Sequence, residues 1–232
     1  MLGSSPETSS STVTTSPLVS FLSLPIEIHN NIYERVLAIP HPLHVFQDPG
    51  CPVEVFAPAK PYAWLALIYI NRQISAEARA ILYGANQFTF QEIETVQRPV
   101  SLLESFLDCI GPVNAGFLSH LSINFPATER IDACPGEIRL RDDSLRRLRR
   151  LQKSCTGLKT LEALVYGRTS SSLVKEDQIE NKFVREVLFN INAHLRGIVA
   201  LNNMIVRVYS GSVAPPVREF LQGLGWAVVI GD

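Results

Sequence analysis

Hydrophobic positions along this chain recur with two periods, one near 3.6 residues and one of 2, and the switches between them mark out the expected elements. The first helical stretch is LPIEIHNNIYERVL, residues 24–37. Pro25 suits an opening turn, where its missing N–H would have found no partner, and Glu27 complements the positive helix end. On a wheel of 100° per residue, Ile28, Ile32, Val36, His29, Tyr33, Ile26 and Leu37 fill roughly half the circumference. A surface helix needs only a stripe of about 100° to face its core. Apolar helix faces are usually core, so Ile28 and Ile32 are expected to be buried, with cover on both sides of the helix.

The next segment, IPHPLHVFQDPGCPVEVFAPAKP, holds two β-prone runs, Leu43–Gln47 and Val53–Phe56, around the turn signal Asp-Pro-Gly. A hairpin over 43–56 is expected, confined by its prolines to an edge or an excursion. A longer helix is expected from Tyr62 to Tyr83, with Gly84 as its end and Asn71 as a buried amide serving loop backbone groups. NQFTF then alternates like a strand, with Phe88 and Phe90 on one face.

From there helices and strands take turns. Pro99 opens a helix carrying Leu102, Leu103, Phe106, Leu107 and Ile110, which Gly111-Pro112 should stop. HLSINF reads as a strand, a helix near Asp142–Lys153 precedes LEALVY, one near Lys175–Arg196 precedes MIVRVY, and a short one after Pro215 precedes WAVVI. Such alternation implies parallel strands joined by helical crossovers.

Leu118-x-x-Leu121-x-Ile123, Leu158-x-x-Leu161-x-Ala163, Leu201-x-x-Met204-x-Val206 and Leu221-x-x-Leu224-x-Trp226 share one pattern of leucine and apolar positions. That pattern matches the strand of a leucine-rich repeat, although the Asn or Cys of that repeat is missing. The expected fold class is α/β: a helical N-terminal module with a hairpin insertion, followed by helix–strand units in a mainly parallel, repeat-like sheet. An ordinary open α/β sheet is the alternative. Three regions follow: a disordered Ser/Thr-rich tail over 1–20, the helical module over 21–90, and the α/β region over 91–232.

Composition adds constraints. The chain has 232 residues, 46% hydrophobic and 19% charged, which is ample for a buried core. A net charge of −1 argues against nucleic acid or an anionic membrane as partner. No apolar run is long enough to span a bilayer, and no basic segment followed by an apolar one opens the chain. Cys51, Cys109, Cys134 and Cys155 form no CxxC pair. With no Asn-x-Ser/Thr sequon either, a cytoplasmic or nuclear location is expected, the thiols acting as small hydrophobes.

Candidate chemistry is sparse. His41, His44 and Cys51 are spaced through prolines and lack a fourth ligand, so no metal is expected. No G-x-S-x-G elbow, Cys-centred signature, G-x-G-x-x-G or Walker loop occurs, so neither an enzyme nor a cofactor is expected. His120 and His194 are read as structural. IRLRDDSLRRLRRLQK places Arg146, Arg147, Arg149 and Arg150 on the face of a helix opposite its leucines. This basic ridge is either a solvated outer face or a patch for an acidic or phosphorylated partner.

Together, LPIEIHNNIYERVL and LALIYINRQISAEARAILYGANQFTF resemble a large group of fungal proteins described as F-box-like. The group's pattern is a Leu-Pro-x-Glu-Φ-Arg helix, a spacer, and a Leu-rich helix with Asn-Arg-Gln and a closing Leu-Tyr. The resemblance covers about residues 20–125, including FLDCIGPVNAGFLSHLSINFP. It implies a substrate-recognition subunit of a cullin–RING ubiquitin ligase, with a helical module docking on the Skp adaptor and a repeat domain holding the substrate. Leu24, Pro25, Ile28, Ile32 and Val36 match the docking positions of the first helix. His29 stands where the group has Arg, and the hairpin of residues 40–61 takes the place of the second F-box helix. Two functions are therefore expected to compete: a non-enzymatic interaction module bound to the Skp adaptor, or an interaction protein that uses the helical pair only as fold core.

Overall fold

Apart from one edge strand and one separate hairpin, strands pair in the order in which the chain makes them. The computed structural model describes residues 20–58, 63–90, 101–131, 137–166, 182–209, 213 and 215–231. The helices among them are α1 (Ile26–Leu37), α2 (Arg72–Ala85), α3 (Leu102–Phe117), α4 (Asp142–Ser154), α5 (Lys182–Arg196) and α6 (Pro215–Gly223). The strands are β1 (Leu43–Phe46), β2 (Glu54–Phe56), β3 (Gln87–Phe90), β4 (His120–Asn124), β5 (Thr128–Arg130), β6 (Ile138–Leu140), β7 (Thr160–Val165), β8 (Asn203–Val208) and β9 (Trp226–Ile230). Seven strands form one sheet in the order β2-β1-β3-β4-β7-β8-β9, parallel throughout except where β2 pairs antiparallel with β1 at the edge. The fold is α/β, with alternating helix–strand units as expected, and the hairpin β1–β2 sits at the sheet edge. A separate hairpin, β5–β6, was not foreseen.

Parallel neighbours need crossovers, and crossovers are right-handed in nearly all proteins, so a sheet laid down in chain order collects its helices on one face. The helices accordingly form a single row. Each of α1 to α4 packs on the next helix in the chain, and Phe189 of α5 meets Phe220 of α6 edge-on at 5.6 Å. One core lies between row and sheet and runs from Tyr33 and Leu37 through Phe90, Phe106 and Leu161 to Trp226.

The repeated leucine pattern becomes register. Leu121, Leu161 and Met204 lie abreast on β4, β7 and β8. The fourth segment is out of phase by two residues, because Trp226 rather than Leu224 stands beside Met204. The same rank extends back to Phe88 on β3 and Leu43 on β1.

Several boundaries differ from expectation. α2 starts at Arg72, not Tyr62, because Asn71 caps it, its Oδ1 accepting from Ile74 N at 2.9 Å. Asn71 is exposed, not buried, and Ala66–Tyr69 before it is a 3₁₀ turn. Gly84 lies inside the last turn of α2. α3 begins with a capping box between Ser101 and Glu104, and its first helical segment stops at Gly111 as expected, a second following across the kink. Gly111 takes φ 78°, open to glycine at little cost, and Pro112 restarts the helix beyond the kink. The tail over 1–19, Pro99, Cys134 and the stretch 175–181 of the expected 175–196 helix lie outside the described residues.

Asn86, 1% exposed, ties the first two helices to the sheet. Its Nδ2 donates to Leu37 O at 2.9 Å and Leu82 O at 2.8 Å, and its Oδ1 accepts from Ile39 N at 2.8 Å. A substitution Asn86→Ala strands these buried groups at about 1–3 kcal/mol each. A loss of roughly 3 kcal/mol in urea unfolding is expected, with a fall in Tm of about 6–12 °C; a loss below ~1 kcal/mol would contradict this role for the amide.

Candidate functional site

Among the described residues, chain-order topology leaves the outer side of the first helix in the row and the sheet face opposite the helices without a packing layer. α1 buries a narrow stripe of His29, Tyr33 and Leu37, at i, i+4 and i+8. The cover over this stripe comes from the turn Phe21–Ser23 and from α2. The Phe21 ring stacks on His29 at 4.4 Å, and Phe21 O accepts from His29 Nε2 at 2.7 Å. His29 Nδ1 lies 3.0 Å from Glu77 Oε2, which also accepts from Tyr33 OH at 2.9 Å. Both ring nitrogens therefore face acceptor oxygens. Burial pushes the Glu77 carboxyl up, but the bonds from Gln73, Tyr33 and His29 outweigh it and hold it below the usual range. Burial, then the bond to Glu77 and its charge, push Tyr33 up to about 12.

The expectation that Ile28 and Ile32 are buried is corrected. Ile28 is 46% exposed, Val36 38% and Ile26 46%; Ile32 and Leu24 are half-buried and Pro25 is exposed. α1 ends the helix row and has α2 as its helix neighbour, so one stripe suffices to seat it and the wider arc stays uncovered. Ile28, Ile32 and Val36, spaced by four, line up along that outer side.

The four arginines of α4 do not form one ridge. Arg146 and Arg149 are exposed, Arg147 is 9% exposed and turned inward, and Arg150 pairs with Asp108 of α3. The helix packs on neighbours at both sides of the row, so a face that looks free on a wheel is partly used.

The sheet's uncovered face carries the other candidate site, which sequence reasoning missed. Strand positions that alternate with the core project there: Gln87 and Thr89, His120 and Ser122, Glu162 and Leu164, and Arg207. All of these except His120 line a cleft of about 230 Å³, together with Pro42, His44, Tyr166 and Tyr209. At its floor Glu162, 6% exposed, reaches diagonally to both neighbouring strands. Glu162 Oε1 lies 3.1 Å from His120 Nε2, and Oε2 accepts from Arg207 Nε at 2.8 Å. Gln87 Nε2 donates to Ser122 Oγ at 2.8 Å, and the rings of Tyr166 and Tyr209 stack at 4.7 Å. A sequence signal existed: polar residues out of phase with the core in HLSINF, LEALVY and MIVRVY. Only the register shows that Glu162, His120 and Arg207 converge.

The hydrogen bond from His120 draws the Glu162 carboxyl down, burial opposes it, and Arg207 adds to the first effect, leaving it at about 2. Such a carboxylate stays ionised and is a weak general base at neutral pH, so the cluster is better suited to holding charge than to moving protons. Burial pushes the Cys155 thiol up to about 12, whereas Cys51 and Cys109 are exposed. Among the described residues no three His, Cys, Asp or Glu side chains are placed to hold a metal ion, and no helix is long and apolar enough to cross a membrane.

No family model matches the chain, and no curated protein or solved structure does either.

Because Glu162 titrates lower in the folded protein than its ordinary 4.5, it stabilises the fold above pH ~4.5, and that contribution disappears as pH falls toward 2. At ~1.4 kcal/mol per pKa unit the contribution is about 3 kcal/mol. Urea midpoints measured from pH 6 to pH 2 should fall less steeply for Glu162→Gln than for the native chain. Parallel curves would show that the carboxylate is not held in this way.

Proposed function

We propose that this chain is a non-enzymatic protein-interaction module that docks through the outer side of α1 on the Skp adaptor of a cullin–RING ubiquitin ligase. The observation that carries the proposal is the exposure of Ile28 and Val36, with Ile26 beside them, on a helix already seated by His29, Tyr33 and Leu37. Terminal units of stacked architectures ordinarily turn a polar face outward, for solubility. An apolar outer face on the terminal helix suits a partner that covers it. The choice of partner rests on the resemblance of residues 24–37 and 65–90 to the F-box-like group. With the hairpin β1–β2 in place of a second F-box helix, α1 and the half-buried Leu24 before it carry the contact.

Coexpression of the full chain with the Skp adaptor tests this. The native chain should copurify with the adaptor, and Ile28→Asp with Val36→Asp should abolish copurification while shifting Tm by only a few degrees, since exposed substitutions cost about 0.5 kcal/mol or less. Leu37→Asp, by contrast, puts an unpaired charge into the core and should unfold the chain. A folded native chain that fails to bind at micromolar concentration would leave α1 as fold core alone and reject the adaptor as partner.

A further inference from the structure

We propose that the cleft on the uncovered sheet face binds a carboxylate of an acidic peptide segment supplied by another protein. This site is separate from the α1 dock and goes beyond it.

The argument begins with Arg207. Its guanidinium is fixed on Glu162 through Nε alone, and among the described residues its two Nη groups make no hydrogen bond. The side chain is 28% exposed and Arg207 lines the cleft. A guanidinium fork is always charged and matches the two oxygens of a carboxylate. Glu162 fixes the fork in place, while both of its own oxygens are already engaged by His120 and Arg207. Apart from Glu162, Arg207 and His44, the cleft lining is uncharged. Its arginine and buried carboxylate cancel, which favours a singly charged carboxylate over a doubly charged phosphate, because the phosphate would be repelled by Glu162.

The shape narrows the choice further. A cleft of about 230 Å³ is smaller than the roughly 300–1,000 Å³ of a small-molecule pocket, so it fits one side chain of a larger partner. The stacked rings of Tyr166 and Tyr209, 36% and 40% exposed, lie at its rim. They offer a flat apolar surface for the methylene stem of a glutamate. His44 at the opposite rim adds a further polar contact.

The test is calorimetric titration of the full chain, without the adaptor, with a blocked polyglutamate peptide, a polyglutamine control, free succinate and inorganic phosphate. The polyglutamate peptide should bind at least about tenfold more tightly than each of the other three. Arg207→Lys, which keeps a positive charge beside Glu162 but removes the fork, should weaken the peptide about tenfold. Tyr209→Ser provides a second variant in case the first fails to fold, and should weaken it severalfold. The proposal is overturned if the native chain gives no heat with polyglutamate, if polyglutamine, succinate or phosphate matches it, or if neither variant changes the affinity. Since the adaptor is absent, such a failure would not bear on the α1 dock.

Discussion

Everything distinctive about this structure follows from the chain-order pairing of its strands. In a doubly wound sheet the strand order reverses and helices cover both faces. Here, leaving aside the edge strand β2 and the hairpin β5–β6, each strand pairs with the next one the chain makes, and right-handed crossovers between them stay on one side. A row of helices on one face has two ends and a sheet covered on one side has an open back. The sheet's back, its β2 edge and the α1 end of the row are three of the exposed regions that the chain must therefore manage.

The solutions differ. On the sheet's back, polar side chains satisfy one another laterally, with Glu162 held between His120 and Arg207 and Gln87 bonded to Ser122. At the β2 edge, the strand is only three residues long and bounded by prolines, which limits its use as a template for further pairing. At the α1 end nothing comparable is done: Ile26, Ile28 and Val36 face outward. The contrast between a polar, internally satisfied surface and an apolar, uncovered one is what separates the two binding proposals. One surface selects charge, and the other offers area.

Much of the fold was legible in the sequence because it depends on period and punctuation. The β-period runs at 87–90, 120–124, 160–165, 203–208 and 226–230 appear as strands, and the turn signal Asp-Pro-Gly lies between β1 and β2. What was not legible depends on how elements meet. The width of the apolar arc on α1 says how much surface is greasy, but the neighbours decide which part is buried, and α2 with Phe21 chose His29 and Tyr33 over Ile28. Arg150 looked like part of a free ridge until α3 brought Asp108 beside it. The start of α2 turned on one capping amide, Asn71, that a hydrophobic pattern does not weigh. Glu162, His120 and Arg207 sit on three different strands, and a register is needed to bring them together.

The most direct test of this account is carbene footprinting of the isolated chain, at a concentration where it is monomeric, read by mass spectrometry at single residues. The account predicts strong labelling of Ile26, Ile28, Val36, Tyr166 and Tyr209 and little at Tyr33, Leu37, Leu161 and Val206. Protection of Ile28 and Val36 to the level of Leu37 would contradict it, by showing that the chain itself covers the outer side of α1.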